Sequence, residues 1–143
     1  MTMNKITLNG GEIELCFNVK ATIDISERCG GDIANLSDIM KTNTTGKNLE
    51  LICGILCDLA NGAVAVHNAN IAFGLEEGKP KPKFTEDYFI AFATAKDLDR
   101  FTEAIFDTMG MGSEFTVPDN VKTEEKDIDL AEIEAEKNKS KKS

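Results

Sequence analysis

The sequence predicts a mainly α (α+β) fold, an N-terminal β-hairpin packed on a compact bundle of about five helices, with a disordered charged C-terminal tail. Three observations lead there. Ile6 and Leu8, then Ile13, Leu15 and Phe17, alternate with polar neighbours around Asn9-Gly10-Gly11, the period of two strands sharing one buried face. From Val19 onward the apolar residues recur at three and four, the spacing of helices. From Thr123 to the end the chain offers only three large aliphatic residues among its charges, too few to offset the entropy of ordering it.

A two-stranded hairpin is at best marginal in water, so residues 5–17 require an apolar partner from the rest of the chain. Helical spacing over 19–29 ends at Gly30-Gly31, where a positive φ closes a helix without steric cost. A short helix follows over 32–41, with Asp32 at its N-cap and Ile33, Leu36, Ile39 and Met40 on one face. Polar residues 41–47 make a turn. Leu51, Ile52, Ile55, Leu56 and Leu59 then mark the strongest helix, 48–61, as the central one. Asn61-Gly62 reads as a break or bend before a second helix over 63–75, carried by Val64, Val66, Ile71, Phe73 and Leu75.

Pro80 and Pro82 deny backbone donors and make 76–83 an exposed loop. A helix over 85–94 starts directly after it. Thr85 caps, Glu86 and Asp87 complement the dipole, and Phe84 staples onto Phe89. Thr94 with Asp97 offers a second cap, and Leu98, Phe101, Ile105, Phe106 and Met109 give the last helix, 96–110, its apolar stripe, ended by Gly110 and Gly112. Residues 1–117 form a single globular domain in this reading and 118–143 a flexible charged tail.

At 143 residues and 41% hydrophobic content the chain can bury a core. The apolar run Leu49–Leu75 is interrupted by Asp58, Asn61, His67, Asn68 and Asn70, so no membrane span is expected. The N-terminus has no basic flank and apolar stretch of a secretory signal, which implies a cytoplasmic protein. Cys16, Cys29, Cys53 and Cys57 read as small buried hydrophobes. A metal clip by Cys53, Cys57 and His67 lacks the paired spacings and fourth ligand of a zinc site. His67, the one histidine, reads as a polar-face or boundary residue.

The net charge of −9 is concentrated in residues 1–118, which hold 17 acidic and 10 basic side chains. That sign repels phosphate backbones and anionic lipid, so neither nucleic acid nor membrane is an expected partner. Proteins remain. The sequence contains no P-loop, dinucleotide fingerprint, nucleophile elbow or paired-histidine motif. Its acidic pairs, Glu76-Glu77, Glu86-Asp87 and Asp97 with Asp99, fall at helix starts or in a loop, where they hydrate or complement a dipole. With one tyrosine, one histidine and no tryptophan, the chain is not expected to be an enzyme, nor to hold a cofactor or metal. The candidate partner-binding residues are Ile128, Leu130 and Ile133, which could line a short amphipathic helix once a partner covers them.

The opening Lys5–Asn18, running at once into a helix, resembles the tail assembly chaperones of long-tailed (siphovirus-type) bacteriophages and prophages. The central helix Leu51–Asn61, the Pro80–Lys83 loop and Thr85-Glu86-Asp87 ahead of Ala95–Asp99 extend the likeness over roughly residues 4 to 110. The Ala63–Leu75 stretch is longer than the shorter members' pattern. The resemblance implies a non-catalytic protein that binds the tape measure protein, assists tail tube assembly and is absent from the mature virion. A structural virion component, such as a small tail or connector protein, and a protein-binding adaptor are the alternatives. Self-association through an unused apolar helix face is left open.

Overall fold

The computed structural model describes residues 3–110. The fold is the expected one, helical with a two-stranded antiparallel hairpin at its N-terminus. Strands β1 (Asn4–Leu8) and β2 (Gly11–Leu15) pair in the register Ile6 with Ile13 and Leu8 with Gly11. Asn9 and Gly10 both take positive φ, 54° and 78°, as a two-residue hairpin turn of matching twist requires. Ile6, Leu8, Ile13 and Leu15 are buried on one face. The ladder ends at Leu15, earlier than position 17, and the next N–H, that of Cys16, points away from β1 and donates to the Leu59 carbonyl at 3.0 Å.

Helix α1 (Val19–Arg28) starts where the Asn18 side chain accepts the Ala21 N–H at 3.0 Å. The predicted 32–41 helix is a 3-10 turn at Ile33–Asn35, capped by Asp32, leading into α2 (Leu36–Thr42). The largest departure follows. The two helices expected over 48–61 and 63–75 are one, α3 (Thr45–Ala72), 28 residues without interruption. Its middle is buried on all sides from Ile52 to Val64, and it touches β2, α1 and two later helices, α4 (Glu86–Phe92) and α5 (Leu98–Met109).

Gly62 does not break α3 because it is where another backbone lies against it. A Cβ there would run into the Cys16 carbonyl oxygen and come within 2.8 Å of Asn18 Oδ1. The Asn18 amide that caps α1 also donates to the Gly62 carbonyl at 3.0 Å, so one side chain starts one helix and ties it to another. Length and a mean hydropathy of 1.8 put a stretch of α3 in the range of a membrane span, contrary to the expectation from its polar interruptions. In this fold 72% of that stretch is buried as the core helix of the domain.

The signals before α4 act as read. Thr85 accepts the Tyr88 N–H at 3.3 Å, and the Phe84 and Phe89 rings meet at 5.6 Å. Asp97, at the end of a 3-10 turn over Ala95–Asp97, accepts the Thr94 N–H at 2.9 Å. That bond first, and Arg100 with it, holds its carboxyl below the usual range. Helix α5 closes the core with Phe101, Ile105 and Phe106 and ends at Gly110, φ 75°.

Candidate protein-binding surface

Four polar interruptions of α3, Asp58, Asn61, His67 and Asn68, are fastening points. Asp58, 5% exposed, receives the Arg28 guanidinium from two sides, Nε at 2.6 Å and Nη2 at 3.1 Å, while Nη1 reaches Glu86 at 3.1 Å. One arginine thus joins α1, α3 and α4. Gly54 makes room for it, since a Cβ at that position would strike the guanidinium. Burial alone would weaken the charge on Arg28; hydrogen bonds and charges of Asp58 and Glu86 outweigh it and raise its pKa. Burial likewise pushes the Asp58 carboxyl up, against the pull of Arg28.

Asn61 and Asn68 hold the segment after α3. The Asn61 amide accepts the Phe84 N–H at 2.7 Å and donates to the Phe84 carbonyl at 3.0 Å; Asn68 does the same for Lys81, at 2.7 and 2.9 Å. Each side-chain amide stands in for a peptide group, so residues 81–84 lie strapped along the helix.

His67 sits between two carboxylates. Nδ1 lies 2.8 Å from Glu76 and Nε2 2.6 Å from Glu14 of β2, and both ring nitrogens must donate to satisfy both acids. Hydrogen bonds to Glu76 and then to Glu14 raise the His67 pKa, and the bond from His67 lowers that of Glu76. The His67 contribution to stability is therefore complete below about 6.5, its ordinary value, and lost as pH rises through the raised one. The Glu76 contribution is present above its ordinary value of about 4.3 and lost as pH falls through the lowered one. Together they are largest between those limits. The expected result is a Tm that declines as pH rises above 6.5 in the wild type, with His67→Gln removing that decline; equal slopes would refute the bridge.

The thiols are buried, and burial raises the pKa of all four, Cys53 and Cys57 to about 11. Cys53, Cys57 and His67 are not brought together. Cys57 Sγ lies 3.4 Å from the Phe84 carbonyl, whereas His67 is held by its two acids. Among the described residues no group of three or more histidine, cysteine or acidic side chains is placed to hold a metal.

Among the described residues apolar surface remains in three places, one of them Val19 and Ile23 of α1, 74% and 53% exposed. A groove of about 180 Å³ runs between α3 and α4, lined by Leu49, Cys53, Ile90, Ala93 and Leu98, with Ile90 47% exposed. At the other end, where α3 outruns the body, Phe73 and Leu75 are 81% and 77% exposed. The groove is positioned by the aromatic cluster around Tyr88, whose ring stands 5.7, 5.6 and 5.1 Å from those of Phe84, Phe89 and Phe92, and by the Arg28–Glu86 contact at the head of α4. The expected partner-binding residues Ile128, Leu130 and Ile133 lie outside the described residues. Sequence patterning gave Ile90 and Ala93 no role, because the groove exists only where α4 and the residues after it come against α3, which spacing along one helix does not show. No family model, no curated protein and no solved structure matches this chain.

Proposed function

We propose that this protein is a tail assembly chaperone of a long-tailed bacteriophage or prophage, acting in the host cytoplasm. It binds the tape measure protein, assists assembly of the tail tube around it, and catalyses no reaction. The observation that carries the reading is the α3–α4 groove, an apolar trough with half-exposed Ile90 at its lip, on a chain of net charge −9. Such a trough suits one apolar face of a client helix, and the acidic surroundings keep the complex soluble. The opening hairpin, the Leu51–Asn61 stretch of α3 and the proline loop resemble the pattern of the tail chaperones and support the same reading.

Co-expression with the tape measure protein of the same genome tests it. The wild type is expected to raise the soluble yield of that protein several-fold and to co-purify with it. Ile90→Asp should abolish both, whereas Phe73→Asp, at the far end of α3, should leave them intact. An unchanged yield with wild type refutes the function; equal performance of Ile90→Asp refutes the groove.

A further inference from the structure

The far end of α3 carries a charge opposite to that of the chain as a whole. Three of the ten basic side chains within residues 1–118, Lys79, Lys81 and Lys83, fall in five positions with Pro80 and Pro82 between them, and all three are exposed. None of them takes part in an ion pair among the described residues. The acids just before them leave that charge largely uncancelled, since Glu76 is held by His67 and only Glu77 is exposed. In the same stretch stand Phe73 and Leu75, which at 81% and 77% are the most exposed large apolar side chains among the described residues.

The backbone of this end is fixed by its own contacts. The N–H groups of Phe73, Gly74 and Leu75 donate to the carbonyls of Ala69, Ile71 and Asn70 at 3.0, 3.1 and 2.7 Å, with Gly74 left-handed, and so close the helix. The loop then returns along α3: a Cβ on Gly78 would lie 4.0 Å from Ile71 Cδ1, and Asn68 holds the backbone of Lys81. Lys79 and Lys81 therefore flank the last turns of the helix, and the prolines beside them fix φ. A ligand that meets them has little backbone left to order.

We propose that this end of α3 is a docking site for a short acidic segment of another protein, one that carries large apolar side chains among its carboxylates. The apolar side chains cover Phe73 and Leu75, and the carboxylates pair with Lys79, Lys81 and Lys83. Size decides against larger anions. A bilayer or a nucleic-acid duplex faces the whole molecule and meets its net charge of −9, whereas a short segment lies within one Debye length, about 8 Å, of the lysines. The site is distinct from the α3–α4 groove, and the proposal is independent of the proposed function.

Fluorescence anisotropy of the full chain tests it, the probe being a short labelled peptide of glutamates with leucine at every third position. Saturable binding is expected, weakened at least about tenfold by Lys79→Glu with Lys81→Glu, and as much by Phe73→Ser with Leu75→Ser. Ile90→Asp should leave it unchanged, and raised salt should weaken it. The four substituted positions at the tip are exposed, so both double variants should keep the wild-type Tm. No saturable binding, equal affinity in the charge-reversed variant, or equal binding of a leucine-free glutamate peptide overturns the proposal. So does each sign of another occupant. Tighter binding of phosphatidylserine vesicles or duplex DNA than of the peptide would assign the tip to an anionic surface, and self-association lost in Phe73→Ser with Leu75→Ser would assign it to a second copy. Tighter peptide binding after Glu124→Gln, Glu125→Gln, Asp127→Asn and Asp129→Asn would assign it to the chain's own acidic end.

Discussion

Asp58→Ala is expected to lower the unfolding free energy by about 3 kcal/mol, because it leaves the Arg28 guanidinium, a side chain only 27% exposed, with Glu86 as its remaining acidic partner. That is a large share of the 5 to 15 kcal/mol typical of a domain, and it should lower Tm on the order of 10 °C. The loss belongs to the unpaired charge more than to the pair itself. Combining Asp58→Leu with Arg28→Met should therefore recover most of the stability, since an apolar pair of similar volume replaces the ions without leaving either alone. Equilibrium urea unfolding of the two single variants and the double variant gives the coupling. Additive losses would show that the clamp is not a unit.

Gly62→Ala is the second large effect. Alanine favours a helix by about 1 kcal/mol over glycine. Here the added methyl meets the Cys16 carbonyl, a backbone atom fixed by the neighbouring Cys16 N–H to Leu59 bond, together with the Asn18 side chain that caps α1. The strand-to-helix junction must back away, and overpacking of this kind costs about 1 to 3 kcal/mol or more. A net loss of about 2 kcal/mol is expected. Gly46→Ala, in the first turn of the same helix with open space around it, should instead gain up to about 1 kcal/mol. Opposite signs for one substitution in one helix, read by thermal unfolding, isolate the contact from propensity. A gain at Gly62 would mean that α1 does not approach as closely as described.

What was legible in the sequence was what neighbours in sequence decide. The Asn9-Gly10 turn, the Thr85 cap, the Phe84–Phe89 staple and the Thr94–Asp97 pair each involve residues within about five positions of one another, and each forms. The error at Asn61-Gly62 has the opposite origin. Local preference votes for a break, but the glycine answers to Cys16 and Asn18, more than forty residues earlier, which no window along the chain can weigh. Asp58, Asn61, His67 and Asn68 read as interruptions of an apolar run for the same reason. Their partners, Arg28, Phe84, Glu14 with Glu76, and Lys81, come from other elements. A signal was nonetheless present: polar residues recurring within an apolar run of helix need hydrogen-bond partners, and they mark where other segments attach. Glu86 was read only as a dipole charge, and its reach to Arg28 had no trace in local pattern.

The strap over α3 works as a gauge. Seven residues of helix, Asn61 to Asn68, advance about 10.5 Å, and three residues of extended chain, Lys81 to Phe84, advance about 10 Å. Two rulers of different pitch therefore agree at both marks, and only for that pair of counts. One residue gained or lost between Lys81 and Phe84 would put one asparagine out of step, whereas additions between Gly74 and Lys79 lie outside the two marks. Length is fixed here more tightly than composition, and lineages of this protein should diverge in the letters of the strap long before they diverge in its span.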